Sequence, residues 1–155
     1  MDEQAFTLRP ATAGDAAAIK TLIRQSGINP MGLNWPRFVL AVDGNDEMIG
    51  CVQLKPHGDD SVELASLAVV PEWQGRGLAR VLIEHMLAQH PGLLYLMCRA
   101  ELGSLYEKFG FQSLVVEDMP PYFRRIARLV DFLGVLRPNS EGLLIMRRCE
   151  ETAGG

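Results

Sequence analysis

One stretch limits what this chain can fold into more than any other: Leu67-Ala68-Val69-Val70-Pro71-Glu72-Trp73-Gln74-Gly75-Arg76-Gly77-Leu78-Ala79. An apolar, strand-like run stops at a proline. A turn carrying Gly75 and Gly77 follows, and an amphipathic pattern begins at once. Leu78, Val81, Leu82 and Met86 recur at helical spacing, so the pattern predicts a helix over 75–89. A helix that starts behind a glycine turn presents N–H groups it cannot satisfy itself, at the positive end of its dipole. Such a turn cradles phosphate oxygens. The stretch therefore points to a ligand that carries phosphate groups and is held mainly by backbone.

The rest of the chain supplies a sheet for that turn to sit on. Residues 6–9 read as a strand, and Thr12 with Asp15 resembles a capping box that uses Asp for Glu. A helix to Gln25 follows, with Ile19, Leu22 and Ile23 on one face and Gly27 at its end. Residues 29–36, with two prolines and a glycine, read as a loop or a short irregular helix. Strands over 37–42 and 47–55 flank a turn at 43–46, and a second turn at 58–60 leads into a strand over 61–70. Pro91-Gly92 breaks the central helix. The continuous apolar run 93–98 marks a strand covered on both faces. A short helix over 103–109, a strand over 111–116, a helix opened by Pro120-Pro121 and a strand over 142–148 complete the order, and 150–155 is expected to fray. On the helix after Pro121, Phe123, Ile126, Ala127, Val130 and Leu133 form an apolar stripe opposite Arg124, Arg128 and Asp131. No repeat or linker interrupts the chain. The expectation is one domain, 1–155, of the α/β (α+β) class, with a mixed, mostly antiparallel sheet and helices on its faces.

Composition excludes several function classes. Fifteen basic against nineteen acidic side chains give a formal charge of −4, which argues against sequence-independent nucleic-acid binding. Cys51, Cys98 and Cys149 lie far apart, and no Cys/His spacing supports a metal site or a disulfide framework. Cys51 and Cys98 sit in apolar runs and read as buried thiols of a reducing compartment. His57, His85 and His90 are scattered and read as structural or solvated. The N-terminal residues lack a signal-peptide pattern and no apolar run reaches membrane-spanning length, so a cytoplasmic location is the expectation.

The motifs resemble those of the GNAT superfamily of N-acetyltransferases. The pyrophosphate signature of that family, Gln/Arg-x-x-Gly-x-Gly/Ala, is matched by Gln74, Gly75, Arg76, Gly77, Leu78 and Ala79. Leu105, Tyr106, Gly110 and Phe111 are similar to its Leu-Tyr-x-x-x-Gly-Phe motif, and Leu8-Arg9-Pro10-Ala11-Thr12 with Asp15 to its opening strand and helix. The resemblance covers residues 6–116. It implies the GNAT fold, with the strand over 61–70 splayed from the strand over 93–98 and often bulged. It also implies acetyl-CoA as cofactor. The pantetheine arm would pair with the backbone of Leu67, Ala68 and Val69, and the pyrophosphate would lie on 74–79. Arg80 would pair a coenzyme phosphate or be solvated.

The resemblance further implies direct transfer of an acetyl group to a primary amine. Tyr106 matches the family's acid, a phenol that protonates the leaving thiolate. Glu63 lies where several members carry a general base. A backbone N–H near Ala68 or Val69 would meet the oxyanion. Cys98, in an apolar strand, reads as inert rather than as a nucleophile. Two positions depart from the pattern: Arg99 stands where many members have Asn, and Leu102 where Ala is common. Arg99 is left to reach an acidic acceptor group or to pair with Glu101. The 119–139 insert reads either as part of an acceptor lid or as a surface helix on the sheet. Trp35 reads either as core or as a substrate platform. The expected acceptor is a small-molecule amine. A protein lysine or N-terminus, or a coenzyme-sensing module without catalysis, stand as alternatives. Many members pair through their C-terminal strands, so the resemblance also allows a homodimer.

Overall fold

The computed structural model describes residues 5–134 and 142–149. Among the described residues seven strands and four α-helices form, the strands being β1 (Phe6–Pro10), β2 (Phe38–Asp43), β3 (Met48–Pro56), β4 (Val62–Val69), β5 (Leu94–Arg99), β6 (Phe111–Ser113) and β7 (Leu143–Arg148). The helices are α1 (Ala16–Gln25), α2 (Leu78–Gln89), α3 (Gly103–Glu107) and α4 (Pro121–Gly134). The strand order is β1-β2-β3-β4-β5-β7-β6. The β1–β2, β2–β3, β5–β7 and β6–β7 ladders are antiparallel, whereas β4 meets β5 in parallel, with Glu63 opposite Tyr95. This is the mixed, mostly antiparallel sheet with helices that the sequence predicts.

The chain divides into two compact units. One comprises the described residues of Met1–Lys55 together with Leu64–Gln89. Its core forms where the apolar face of α1 (Ile19, Leu22 and Ile23) meets Phe38, Leu40, Val42, Cys51 and Ala68. Each large aliphatic or aromatic side chain among these contributes roughly 1.5–3 kcal/mol when taken from water. The entry to α1 is fixed by polar contacts. Thr12 N–H donates to the Asp15 carboxylate at 2.7 Å, and Arg9 pairs with the same carboxylate at 2.8 Å. Helix α2 buries Leu78, Leu82, Ile83 and Met86; Ile83 takes the place expected of Val81. Its approach to β3 is close at Gly50. A Cβ there would stand 3.2 Å from the side chains of Leu78 and Leu82 and from the Ala68 carbonyl oxygen.

The other unit comprises Pro56–Glu63 and the described residues from His90 onward. Strand β5 buries Leu94, Tyr95, Leu96 and Cys98, the both-faces covering that its unbroken apolar run predicts. Tyr95, Met119, Phe123, Ala127 and Ile145 form the core, with Tyr122 and Leu143 packed against it. Helix α3 begins at Gly103, where a Cβ would come to 2.7 Å from Leu144 Cδ1. The stripe expected along α4 holds only in its first half. Phe123 and Ala127 are buried and Ile126 half-buried, but Val130 is exposed, as are Leu129 and Phe132 outside the stripe. Arg124, expected on the polar face, is half-buried and donates to the Met119 carbonyl at 2.8 Å, with its Nε buried and unpaired. The Leu133 side chain, the remainder of the 119–139 insert past Gly134 and the 150–155 tail lie outside the described residues.

Candidate active site

The phosphate-binding expectation rests on the turn after β4. There Gly75 and Gly77 adopt φ of +80° and +82°. These left-handed values are why α2 begins at Leu78 rather than at 75, since right-handed helical backbone cannot pass through them. Nothing lies within 4 Å of where a Cβ would stand at either glycine, so the turn is open on that side. Val81 N–H donates to the Gly77 carbonyl at 3.2 Å. The amides just before it are those an α-helix does not satisfy by itself. Trp73 anchors the turn: it meets Phe6 edge-on at 5.9 Å, and the Arg76 guanidinium lies 5.2 Å from its ring centroid. Gln74 turns inward and donates from Nε2 to the Val69 carbonyl at 3.0 Å, tying the turn to the end of β4. Open glycines, donors with no helical partner and an anchored flank fit a diphosphate.

Within β4, Ala68 is buried while Leu67 and Val69 are partly exposed. Upstream of them lies a backbone feature that sequence reasoning expected only in general terms. Ser66 sits at φ +59°, a left-handed residue inside a strand. Such a conformation costs a non-glycine residue roughly 1–2 kcal/mol. The surroundings hold it: Ser66 is buried, and Gln53 donates to its hydroxyl at 2.8 Å and to the Gly32 carbonyl at 3.3 Å. The Cys51 thiol donates to the Ser66 carbonyl at 3.5 Å, and burial pushes that thiol up to about 12. Neither Ser66 nor Gln53 carries a motif that marks it. A fully buried glutamine in an otherwise apolar strand was the available signal.

The second unit holds the expected base and acid. Glu63 is only 4% exposed, not the solvent-facing side chain that a glutamate at a strand start would ordinarily be. Its Oε1 lies 2.8 Å from His57 Nε2, so His57 is a partner of the expected base rather than a solvated histidine. Tyr106 lies on α3 with its ring edge-on to Phe111 at 6.1 Å. Burial, with Cys98 nearby adding to it, pushes the phenol up to about 12, so it remains a proton donor at neutral pH. Burial also raises the Cys98 thiol, which suits the inert role read from sequence. Trp35 stands in a short 3-10 turn and is 37% exposed, so it is not a core residue.

A sequence model of the acetyltransferase (GNAT) domain matches residues 34–113, just over half of the chain. The chain belongs to the GNAT acetyltransferase family. The match includes β2 to β6, and with them the glycine turn, Glu63 and Tyr106. Solved GNAT-type structures share the fold. N-acetylglutamate synthase from Neisseria gonorrhoeae, complexed with coenzyme A and N-acetyl-glutamate, has a TM-score of 0.72 at 24% identity, over 97% of this chain and 36% of that one. The present chain thus spans about a third of that synthase chain. Rv2747 from Mycobacterium tuberculosis, in complex with CoA, has a TM-score of 0.69 at 19% identity, over 92% of this chain and 98% of that one. The ribosomal-protein-S18-alanine N-acetyltransferase from Escherichia coli has a TM-score of 0.66 at 19% identity, over 97% of both chains. At these identities the likeness speaks for fold. No curated protein matches the chain.

Proposed function

We propose that this GNAT protein is an acetyl-CoA-dependent N-acetyltransferase that acts on the primary amine of a small molecule. The observation that carries the reading is the turn at 74–79. Its two left-handed glycines, opening directly into the N-terminus of a helix, suit the coenzyme's diphosphate, in a chain whose family transfers acetyl groups. The backbone of Leu67, Ala68 and Val69 supports the pantetheine arm, and an N–H near Ala68 or Val69 meets the oxyanion. Acetyl-CoA supplies a thioester that an amine can open. Glu63 removes a proton from the acceptor ammonium, since only the neutral amine carries a nucleophilic lone pair. Tyr106 returns a proton to the leaving sulfur.

A free thiol titrates near 8.5, well below the Tyr106 phenol at about 12. The burial that keeps this phenol protonated also raises the basicity of a thiolate formed beside it, which narrows the gap. The acetyl group passes directly to the amine, and no side chain is acylated on the way.

The bound product of the Neisseria synthase, N-acetyl-glutamate, supports a small acceptor. The S18-alanine enzyme, which matches this chain over nearly the whole of both lengths, favours a second reading in which the acceptor is a protein N-terminus. Thiol release from acetyl-CoA, measured over a panel of amino acids, polyamines and an alanine-initiated peptide, tests these together. Turnover with a small amine and none with the peptide is the expected result. Turnover with the peptide alone would establish the second reading. Coenzyme binding without thioester consumption on any acceptor would instead identify a sensing module.

A further inference from the structure

His57 stands at the end of the β3–β4 turn, where a solvated imidazole is the ordinary outcome. Its side chain is instead 10% exposed, and its Nε2 is 2.8 Å from Glu63 Oε1. Two aromatic rings hold it from other sides. Tyr122 stacks on it with centroids 3.6 Å apart and planes 17° from parallel, and Phe123 meets it edge-on at 5.6 Å. Both rings belong to the first turn of α4, and that turn is pinned to the loop that carries His57. Asp59 accepts the Tyr122 N–H at 3.0 Å while also accepting from the Ser61 N–H and hydroxyl. Loop, helix start and carboxylate thus converge on one imidazole.

We propose that His57 is a positioning residue for the base, and that α4 takes part in the reaction by holding His57 against Glu63. The proposal rests on the reading of Glu63 as the base given above. With Glu63 ionised, His57 donates Nε2–H to Oε1. A donor on a buried carboxylate favours its ionised form and fixes its rotamer. Groups around the pair include Tyr95 on β5, opposite Glu63, Tyr122 and Arg125 on α4, and Asp59 in the loop. Burial and the neighbouring Glu63 raise the Tyr122 phenol, which keeps it neutral. Hydrogen bonds from the Ser61 hydroxyl and the Tyr122 N–H hold Asp59 down at about 2, so it stays anionic near the imidazole.

Two substitutions and one spectroscopic measurement test this. His57→Gln keeps an N–H donor at similar reach; His57→Phe keeps an aromatic ring on Tyr122 and removes the donor. His57→Phe should lower kcat about 10- to 100-fold, a part of the ~10²–10⁴-fold that a general base supplies. It should also move the acid limb of the kcat/KM profile to higher pH, because a carboxylate that loses a donor binds its proton more tightly. Coenzyme binding should not change, and His57→Gln should recover most of the rate. Independently of activity, the His57 Nε2–H proton followed by NMR should resonate far downfield in the wild type, as a proton donated to a carboxylate does, and move upfield in Glu63→Gln. A His57→Phe enzyme with unchanged kcat and pH profile overturns the proposal. So does an Nε2–H resonance indifferent to Glu63→Gln. A wild-type protein that opens no thioester with any amine would remove the acetyltransferase reading itself. The NMR signal reports on the pair regardless, so the two failures are read separately.

Discussion

At the scale of single residues, Tyr106 carries the clearest expectation. Tyr106→Phe removes one hydroxyl and leaves the edge contact with Phe111 in place. Turnover should fall about 10²-fold or more while coenzyme binding is retained, by stopped-flow or steady-state assay against calorimetric titration. An unaltered rate across pH would exclude the acid role. The raised phenol also sets a pH window. Its folded-state value of about 12 lies above the ordinary 10, so the protonated form is favoured in the folded protein. That contribution is whole below pH 10 and is lost as pH rises from 10 towards 12. Denaturant midpoints should therefore decline in that interval in the wild type, and less in Tyr106→Phe. No alkaline fall in kcat below about pH 10 is expected from this group. Asp59 behaves in the opposite sense. Its depressed value of about 2 means that the stability it contributes is present above pH 3.8 and lost as pH falls towards 2.

At the scale of elements, the turn into α2 and the start of α4 are the decisive joints. Gly77→Ala meets no steric neighbour, so its cost to stability is the left-handed backbone alone, roughly 1–2 kcal/mol. Its effect on coenzyme affinity should be larger, about 10-fold or more, because the new methyl group projects into the open side of the turn proposed above to receive the phosphates. Calorimetric titration with coenzyme A against a urea midpoint separates the two effects. At α4 the capping group comes from another part of the chain. Asp59 serves the Tyr122 N–H across the loop, so Asp59→Ala should cost about 1 kcal/mol in chemical denaturation, as loss of an N-terminal cap does. On β3, Gln53→Ala would strip the buried donor from Ser66 of β4 and from the Gly32 carbonyl. The expected loss is about 1–3 kcal/mol, read as a shift of the urea midpoint.

At the scale of the whole molecule, the coenzyme should act as a stabiliser. A ligand that binds only the folded state adds RT ln(1 + [L]/Kd), about 2.7 kcal/mol at a hundredfold excess over Kd. For a chain of 155 residues this corresponds to a rise in Tm on the order of 5–10 °C. Differential scanning with coenzyme A should show it, and Gly77→Ala should diminish it. A wild-type Tm indifferent to the coenzyme at millimolar concentration would remove the ligand assigned to the turn. The formal charge of −4 gives the molecule no cationic field for polyanions, so the same scan with nucleic acid should show no shift.

The sequence by itself determined the order of strands and helices, the apolar faces of α1 and α2, the buried run of β5 and the glycine turn. Each of these rests on local periodicity or on a backbone conformation that glycine alone adopts freely. Through its resemblance to the GNAT family it also singled out Glu63 and Tyr106. Tertiary structure alone decided that His57 is a partner of Glu63, that Asp59 caps α4, that Ser66 is the left-handed residue of β4 and that the end of α4 leaves Val130 exposed. None of these follows from periodicity. Each depends on which groups distant in sequence meet in a place where water cannot satisfy them, and a histidine or serine carries no local mark of the carboxylate or amide it will find.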